Sequence, residues 1–205
     1  GAFICQNSWG DNFGENGFFY ISYYDTNIGT HNVVYTDIEN TDNYDHIYQS
    51  DLCGWVGQLG YNKDSIYGAN VFTAEGNENL KAASFYATGK DSQYELYVVR
   101  QFEDETSLEK MIPVASGKLG NAGYYTVDFN QGIEVDAGER YAVVLYIITP
   151  GSVHPMAIEY AADEATENVD LDDGESYISA NGSKWVSVDT VEKSNLCIKA
   201  FSDNR

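Results

Sequence analysis

Tyr141-Ala142-Val143-Val144-Leu145-Tyr146-Ile147-Ile148 is the longest apolar run in the chain, and its length and β-branched content make it a buried strand. It is far too short for a membrane-crossing helix, which needs about 18–20 apolar residues. Both of its alternating faces are apolar, which marks a central strand covered on each side. Working outward, Tyr94, Leu96 and Val98 point one way while Glu95, Tyr97 and Val99 point the other, so one face is core and the other carries charge at its rim. The same period sets Leu80, Ala82, Ser84 and Tyr86 against Lys81, Ala83 and Phe85.

From Tyr44 onward, strand signals alternate with turn signals at intervals of roughly ten residues, the pattern of an all-β sandwich. Expected strands are 69–74, 80–88, 94–101, 115–119, 123–129, 140–149, 156–160, 176–180, 184–188 and 195–201. Turns are marked by Glu75-Gly76-Asn77, Gly89-Lys90-Asp91, Gly120-Asn121, Ala137-Gly138-Glu139, Asp173-Gly174 and Asn181-Gly182. Helix is confined to a single turn near Thr106–Met111. The 17 Tyr and 19 Gly against three Pro, with 43% hydrophobic residues, describe a folded, turn-rich protein.

A formal net charge of −21, from 32 acidic and 11 basic residues, repels phosphate backbones and anionic lipid. Nucleic acid is excluded as a partner, and so is membrane insertion by a helix. Three cysteines cannot all pair within one chain. Cys197, in the apolar run Leu196-Cys197-Ile198, reads as a buried thiol, with a bridge to Cys53 as the alternative. The three His and three Cys show no zinc spacing, and no Gly-x-Ser-x-Gly elbow occurs.

At the N-terminal end, Asn7-Ser8-Trp9-Gly10 is followed by Phe13, Gly14, Glu15, Asn16, Gly17 and the aromatic run Phe18-Phe19-Tyr20-Ile21. This segment resembles the stretch around the catalytic asparagine of papain-like cysteine peptidases, with Phe13 where a second Trp is usual. The resemblance implies that Asn7 orients a catalytic imidazole and that Trp9 shields their hydrogen bond from water. The nucleophilic Cys and the His of such enzymes lie upstream of the asparagine. Cys5 lacks the expected Cys-Gly-Ser-Cys-Trp surroundings, and His31, His46 and His154 all follow Asn7. The expectation is therefore a truncated enzyme that is itself non-catalytic. The strand Phe18–Tyr24, without its usual neighbours, is expected to pack on the following domain or to pair with another chain.

The stretches around Tyr44–Gln49, Asn70–Ala74, Leu80–Tyr86, Gly123–Asp128, Ala137–Val144 and Glu175–Ser179 resemble the lectin-like domain that follows the peptidase domain in clostridial and related bacterial surface proteases. Together the two resemblances imply a short β remnant of a papain-type domain at 1–30, a connector at 31–43 containing a short strand at 33–36, and a jelly-roll-like β-sandwich at 44–203. They also imply a parent cysteine protease that is secreted or held at the bacterial cell surface, with the peptidase domain as partner.

Sugar-binding sandwiches stack aromatic rings on the apolar face of a pyranose and use Asp, Asn or Glu for the hydroxyls. Trp55, between Gly54 and Gly57, is the candidate exposed platform. Trp185 begins a strand and so reads first as a core residue, with a place on a sugar platform as its alternative. The acidic stretch Asp170-Leu171-Asp172-Asp173 reads by default as a solvated turn, with no cofactor expected; its alternative is to supply oxygen ligands to calcium through Asp170, Asp172 and Asp173. It is not an EF-hand: with Gly174 at the sixth position, the first falls on Val169 and the twelfth on Ala180, neither a carboxylate. The expected role is tethering to glycans or cell-wall polysaccharide; the alternative is a structural module that stabilises or shapes the peptidase.

Overall fold

The computed structural model describes residues 1–29, 33–36, 38–188 and 193–205, so that His31 lies outside the described residues. The chain divides into two compact units, Gly1–Asn40 and Thr41–Arg205.

In the first unit, β1 (Ala2–Gln6) pairs antiparallel with β2 (Phe18–Ser22), with Cys5 opposite Phe19. The strand expected to lack neighbours therefore has one, and it comes from the residues just before the Asn-Ser-Trp-Gly segment. The connecting loop is closed by main-chain hydrogen bonds from Asn7 to Gly17 (2.9 Å) and from Gly17 to Phe13 (3.0 Å). Residues 33–36, expected as a strand, are irregular. β-branched propensity alone does not make a strand.

The second unit holds β3 (His46–Tyr48), β4 (Gly57–Leu59), β5 (Ser65–Thr73), β6 (Glu78–Ala87), β7 (Ser92–Val99), β8 (Ile112–Leu119), β9 (Gly123–Val135), β10 (Arg140–Ile148), β11 (Met156–Glu159), β12 (Ser176–Ser179), β13 (Val186–Ser187), β14 (Asn195–Leu196) and β15 (Ile198–Asn204). Their antiparallel sheets run β13-β12-β5-β10-β7-β8, β3-β15-β6-β9 and β14-β11-β4. A 3-10 turn at Glu105–Glu109 supplies the expected helical element, capped by the Asp104 carboxylate on Thr106 N–H.

The run Tyr141–Ile148 is indeed central, with β5 on one side and β7 on the other. Tyr141, Val143, Leu145 and Ile147 enter the main core together with Leu80, Ala83 and Phe85 of the four-stranded sheet. Ala142 and Val144 enter a second cluster on the opposite face. That cluster corrects the reading of β7. Its outward Tyr97 and Val99 are covered by Phe102, Leu108 and Met111, from the segment around the 3-10 turn. The reading of β6 is corrected as well. Lys81 has no partner in either neighbouring ladder, and this bulge shifts the phase so that Leu80 joins Ala83 and Phe85 in the core rather than Ala82, Ser84 and Tyr86.

β14 and β15 are one stretch of chain that changes sheets at Cys197. Asn70, buried in β5, holds the change in place by donating to the carbonyls of Leu196 (2.9 Å) and Ile198 (2.8 Å) while accepting from Ser176 Oγ (2.7 Å). A buried amide satisfied in this way fixes where the strand breaks. Asn195 and Lys199 are thereby placed on either side of the break.

Candidate functional site

The loop Ser50-Asp51-Leu52-Cys53-Gly54-Trp55 between β3 and β4 is held at three points. Ser50 and Asp51 are buried, while Leu52 is exposed. Gly54 N–H donates to Asp51 O (3.1 Å), closing a turn. Gly54 adopts φ +71°, and a Cβ there would lie 3.0 Å from Tyr86 Oη, so both backbone and space call for glycine. Further along, Cys53 N–H donates a very short hydrogen bond to the Glu159 carboxylate. These anchors turn Trp55 toward the outer face of the four-stranded sheet.

Three rings form a row there. The Trp55 and Tyr86 centroids lie 5.7 Å apart, and those of Tyr86 and Tyr124 5.0 Å. Tyr86 and Tyr124 are cross-strand partners on β6 and β9, and so share a face. Trp55 is 37% exposed and Tyr124 44%. Tyr124 Oη donates to Ser84 Oγ (2.6 Å), which fixes its ring. Burial raises the pKa of both phenols, so they stay neutral donors at physiological pH.

Lys199, opposite Ser84 in the β15–β6 register, lies on the same face. Its ammonium bonds Gln49 Oε1 (2.7 Å), Asp51 Oδ1 (3.0 Å) and Asp51 O (3.2 Å). The Asp51 side chain is fully buried, and its second oxygen, Oδ2, has no partner. Burial holds the carboxyl above the usual carboxylate range, against the opposing pull of Lys199.

Behind the loop lies a cluster of oxygens. The Asn195 amide nitrogen faces Ser50 O (2.9 Å), Asp170 O (2.9 Å), Glu159 Oε1 (3.0 Å) and Asp173 Oδ1 (3.4 Å). An amide carries two N–H donors, so four acceptors exceed its capacity. The oxygen of the same amide is buried without a partner. A half-turn of the amide would bring it in as a fifth oxygen. Glu159 is fully buried, and no ion pair reaches it among the described residues. Burial, then the nearby Asp170 carboxylate, raise the pKa of Asp173. Gly174 admits this approach, since a Cβ there would lie 2.7 Å from Asn195 Oδ1 and 3.0 Å from Ser50 Oγ. Two carboxylates, two carbonyls and an amide oxygen are the donor set a hard cation such as calcium takes.

Of the acidic residues singled out in the sequence, Asp170 contributes its carbonyl and Asp173 its carboxylate. Asp172 instead donates its N–H to Asp170 Oδ1 (3.0 Å) and stays outside the cluster. Among the described residues no group of three or more His, Cys, Asp or Glu side chains could hold a metal; the cluster relies on main-chain and amide oxygens instead. Trp55 is at the platform, but Trp185 is not. Trp185 packs against the second apolar cluster, 6.2 Å from Tyr67, with a buried and unpartnered Nε1. Cys53 is exposed, Cys197 is buried, and both are free thiols. In the first unit, Asn7 Oδ1 accepts from Trp9 N–H (2.7 Å), and the Trp9 ring, 77% exposed, meets Phe13 edge-on at 5.3 Å.

Tyr86, Tyr124, Lys199, Glu159 and Asn195 were not visible as site residues in the sequence. One signal was available: Glu159 ends the otherwise apolar strand Met156-Ala157-Ile158, and a carboxylate continuing a buried run needs a partner.

The model of the lectin-like domain family matches residues 47–202. The chain belongs to the lectin-like domain family. No curated protein matches it. Among solved structures, the lectin-like chain is similar to the clostridial cysteine protease Cwp84, a cysteine-to-alanine variant after propeptide cleavage, with TM-score 0.79 and 24% identity over 100% of this chain and 52% of that one. It is similar also to the structure of the cysteine protease and lectin-like domains of Cwp84, a surface-layer-associated protein of Clostridium difficile. There the TM-score is 0.76 and the identity 24%, over 100% of this chain and 46% of that one. The lectin-like chain thus spans about half the length of these structures. Among the described residues no helix is long and apolar enough to cross a membrane.

Proposed function

We propose that this chain is the lectin-like part of a cell-surface cysteine peptidase and that its jelly-roll-like sandwich binds glycans through the platform of Trp55, Tyr86 and Tyr124. The observation that carries the reading is the row of three rings on a rigid sheet face, with Tyr86 and Tyr124 in register and Trp55 supplied by a loop anchored at three points. Sugars present an apolar face and a polar rim, and exposed rings beside hydroxyl and amide groups match both. Calcium is the structural cofactor of this reading. Ser50, Glu159, Asp170, Asp173 and Asn195 would hold it and so stiffen the loop that carries Trp55.

Asn7 and Trp9 belong to the other half of the proposal. With the peptidase region in the same protein, Asn7 would orient the catalytic imidazole and Trp9 would shield it. The resemblance of the Asn7–Gly17 segment and the similarity to a protease with a lectin-like domain support that role.

The test is a pull-down of the chain on insoluble polysaccharides, followed by titration with oligosaccharides. Binding that weakens about tenfold in Trp55→Ala, a loss of ~1.4 kcal/mol, is the expected result. Absence of binding to every polysaccharide, or binding indifferent to both Trp55→Ala and Tyr124→Ala, would favour the structural role beside the peptidase.

A further inference from the structure

We infer that the Trp55–Tyr86–Tyr124 platform selects glycans bearing free amines and turns away acidic ones. The inference rests on the glycan-binding reading of the same site. Its first ground is stoichiometric. An ammonium has three N–H donors, and those of Lys199 meet three acceptors, Gln49 Oε1, Asp51 Oδ1 and Asp51 O, at 2.7, 3.0 and 3.2 Å. The cation at the platform therefore has no donor left for a carboxylate or sulfate on a sugar.

The second ground is the sign of the surrounding charge. Lys199 and Asp51 cancel, while Glu159 lies buried behind the loop. On the same sheet face, Asp128 is exposed in β9 opposite Ala82 of β6, two residues along from the Ser84–Thr126 pair, and accepts from Tyr44 Oη (3.0 Å). The chain as a whole carries −21. An anionic polymer approaching the rings meets this field while the nearby cations are already engaged, Lys199 by Asp51 and Lys81 by Asp203 (3.8 Å), whereas a protonated amine is drawn in. The rings add to the preference, because an ammonium is attracted to the face of Trp or Tyr while an anion is not.

Three tetrasaccharides of matched length separate the outcomes: one of glucosamine, one of N-acetylglucosamine and one of galacturonic acid, each titrated calorimetrically against the full chain at pH 6 in low and in physiological salt. The glucosamine tetramer should bind about tenfold more tightly than the N-acetylated one in low salt and lose much of that advantage as salt is added. Galacturonate should show no measurable binding. Asp128→Asn should narrow the amine advantage two- to threefold, about what one screened surface charge supplies, and leave N-acetylglucosamine binding unchanged. Equal affinity for the two hexosamine tetramers, or binding of the uronate, overturns the charge selectivity while leaving the platform standing if Trp55→Ala still weakens both. If no tetramer binds, or Trp55→Ala weakens none, the glycan reading itself fails and the selectivity with it.

Discussion

Trp55 and Trp185 are alike as residues and opposite in situation. Trp55 sits at the end of a loop positioned by a buried carboxylate, an ammonium and hydrogen bonds to Glu159 and Asp51. Trp185 rests on a cluster of Ala69, Val71, Val99, Phe102, Leu108, Ala142 and Val144. One ring is held out by polar anchors, the other is held in by packing. Polar anchoring depends on charge state and cation supply, while packing depends on volume. The two regions should therefore fail in different ways, and each can be broken without the other.

The largest effect is expected on the polar side. Lys199→Met removes the cation from a fully buried Asp51 whose other oxygen already lacks a partner. Breaking a buried pair in this way costs about 3–5 kcal/mol, or a Tm lower by roughly 10 °C for a domain of this size. The pH dependence has a definite sign. The pKa of Asp51 is raised, so the folded state holds the proton more tightly than the unfolded chain, and stability is lost as pH rises through that raised value. The deficit of Lys199→Met should accordingly shrink on acidification, and Asp51→Asn added to it should recover most of the loss at neutral pH. Thermal melts across pH check both statements, and a deficit that grows toward acid pH would contradict them.

How much of this could be read from the sequence divides along the same line. The packed side was legible. Tyr141–Ile148 is apolar on both faces, and β10 is central with a cluster on each side. What the local pattern missed were choices made by distant partners. β4 is three residues, Gly57–Leu59, with no strand signal of their own, and it exists because Met156–Ile158 pairs with it. The bulge at Lys81 exchanged the faces of β6 because two neighbouring ladders both skip that residue. On the polar side, Trp55 stood out between glycines, but Tyr86 and Tyr124 did not, since tyrosine is common in strands for reasons unrelated to binding. The oxygen cluster was half hidden for a different reason. Ser50 and Asp170 contribute carbonyls, which every residue possesses, so their type carries no sign of the role.

A smaller effect is expected from the cation. Calcium at a hundredfold excess over its dissociation constant should add about 2.7 kcal/mol, or roughly 5–10 °C in Tm. Binding requires Asp173 deprotonated, and the pKa of Asp173 is raised by burial and by Asp170. The calcium-induced gain, full near neutral pH, should thus disappear on acidification sooner than at an ordinary carboxylate site. Glu159→Gln should abolish the gain while leaving the melt in chelator nearly unchanged, because the amide oxygen still accepts from Cys53 N–H. A gain that survives Glu159→Gln would remove calcium from this cluster.

The smallest expected loss, and the sharpest contrast, comes from Trp185. Full burial would put Trp→Ala at 3–5 kcal/mol; this ring is only partly buried, so about 2 kcal/mol is expected, with Tm lower by roughly 5 °C. Trp185→Phe should cost much less, because it keeps most of the ring contact and removes a buried Nε1–H that has no acceptor. Neither change should alter glycan affinity, since Trp185 packs against the second cluster while the platform stands on the outer face of the four-stranded sheet. Trp55→Ala should do the reverse, weakening binding with little change in Tm. Melts and titrations on the same three variants decide the matter. If Trp185→Phe weakens binding as much as Trp55→Ala does, the division into a ring held out for ligand and a ring held in for stability is wrong.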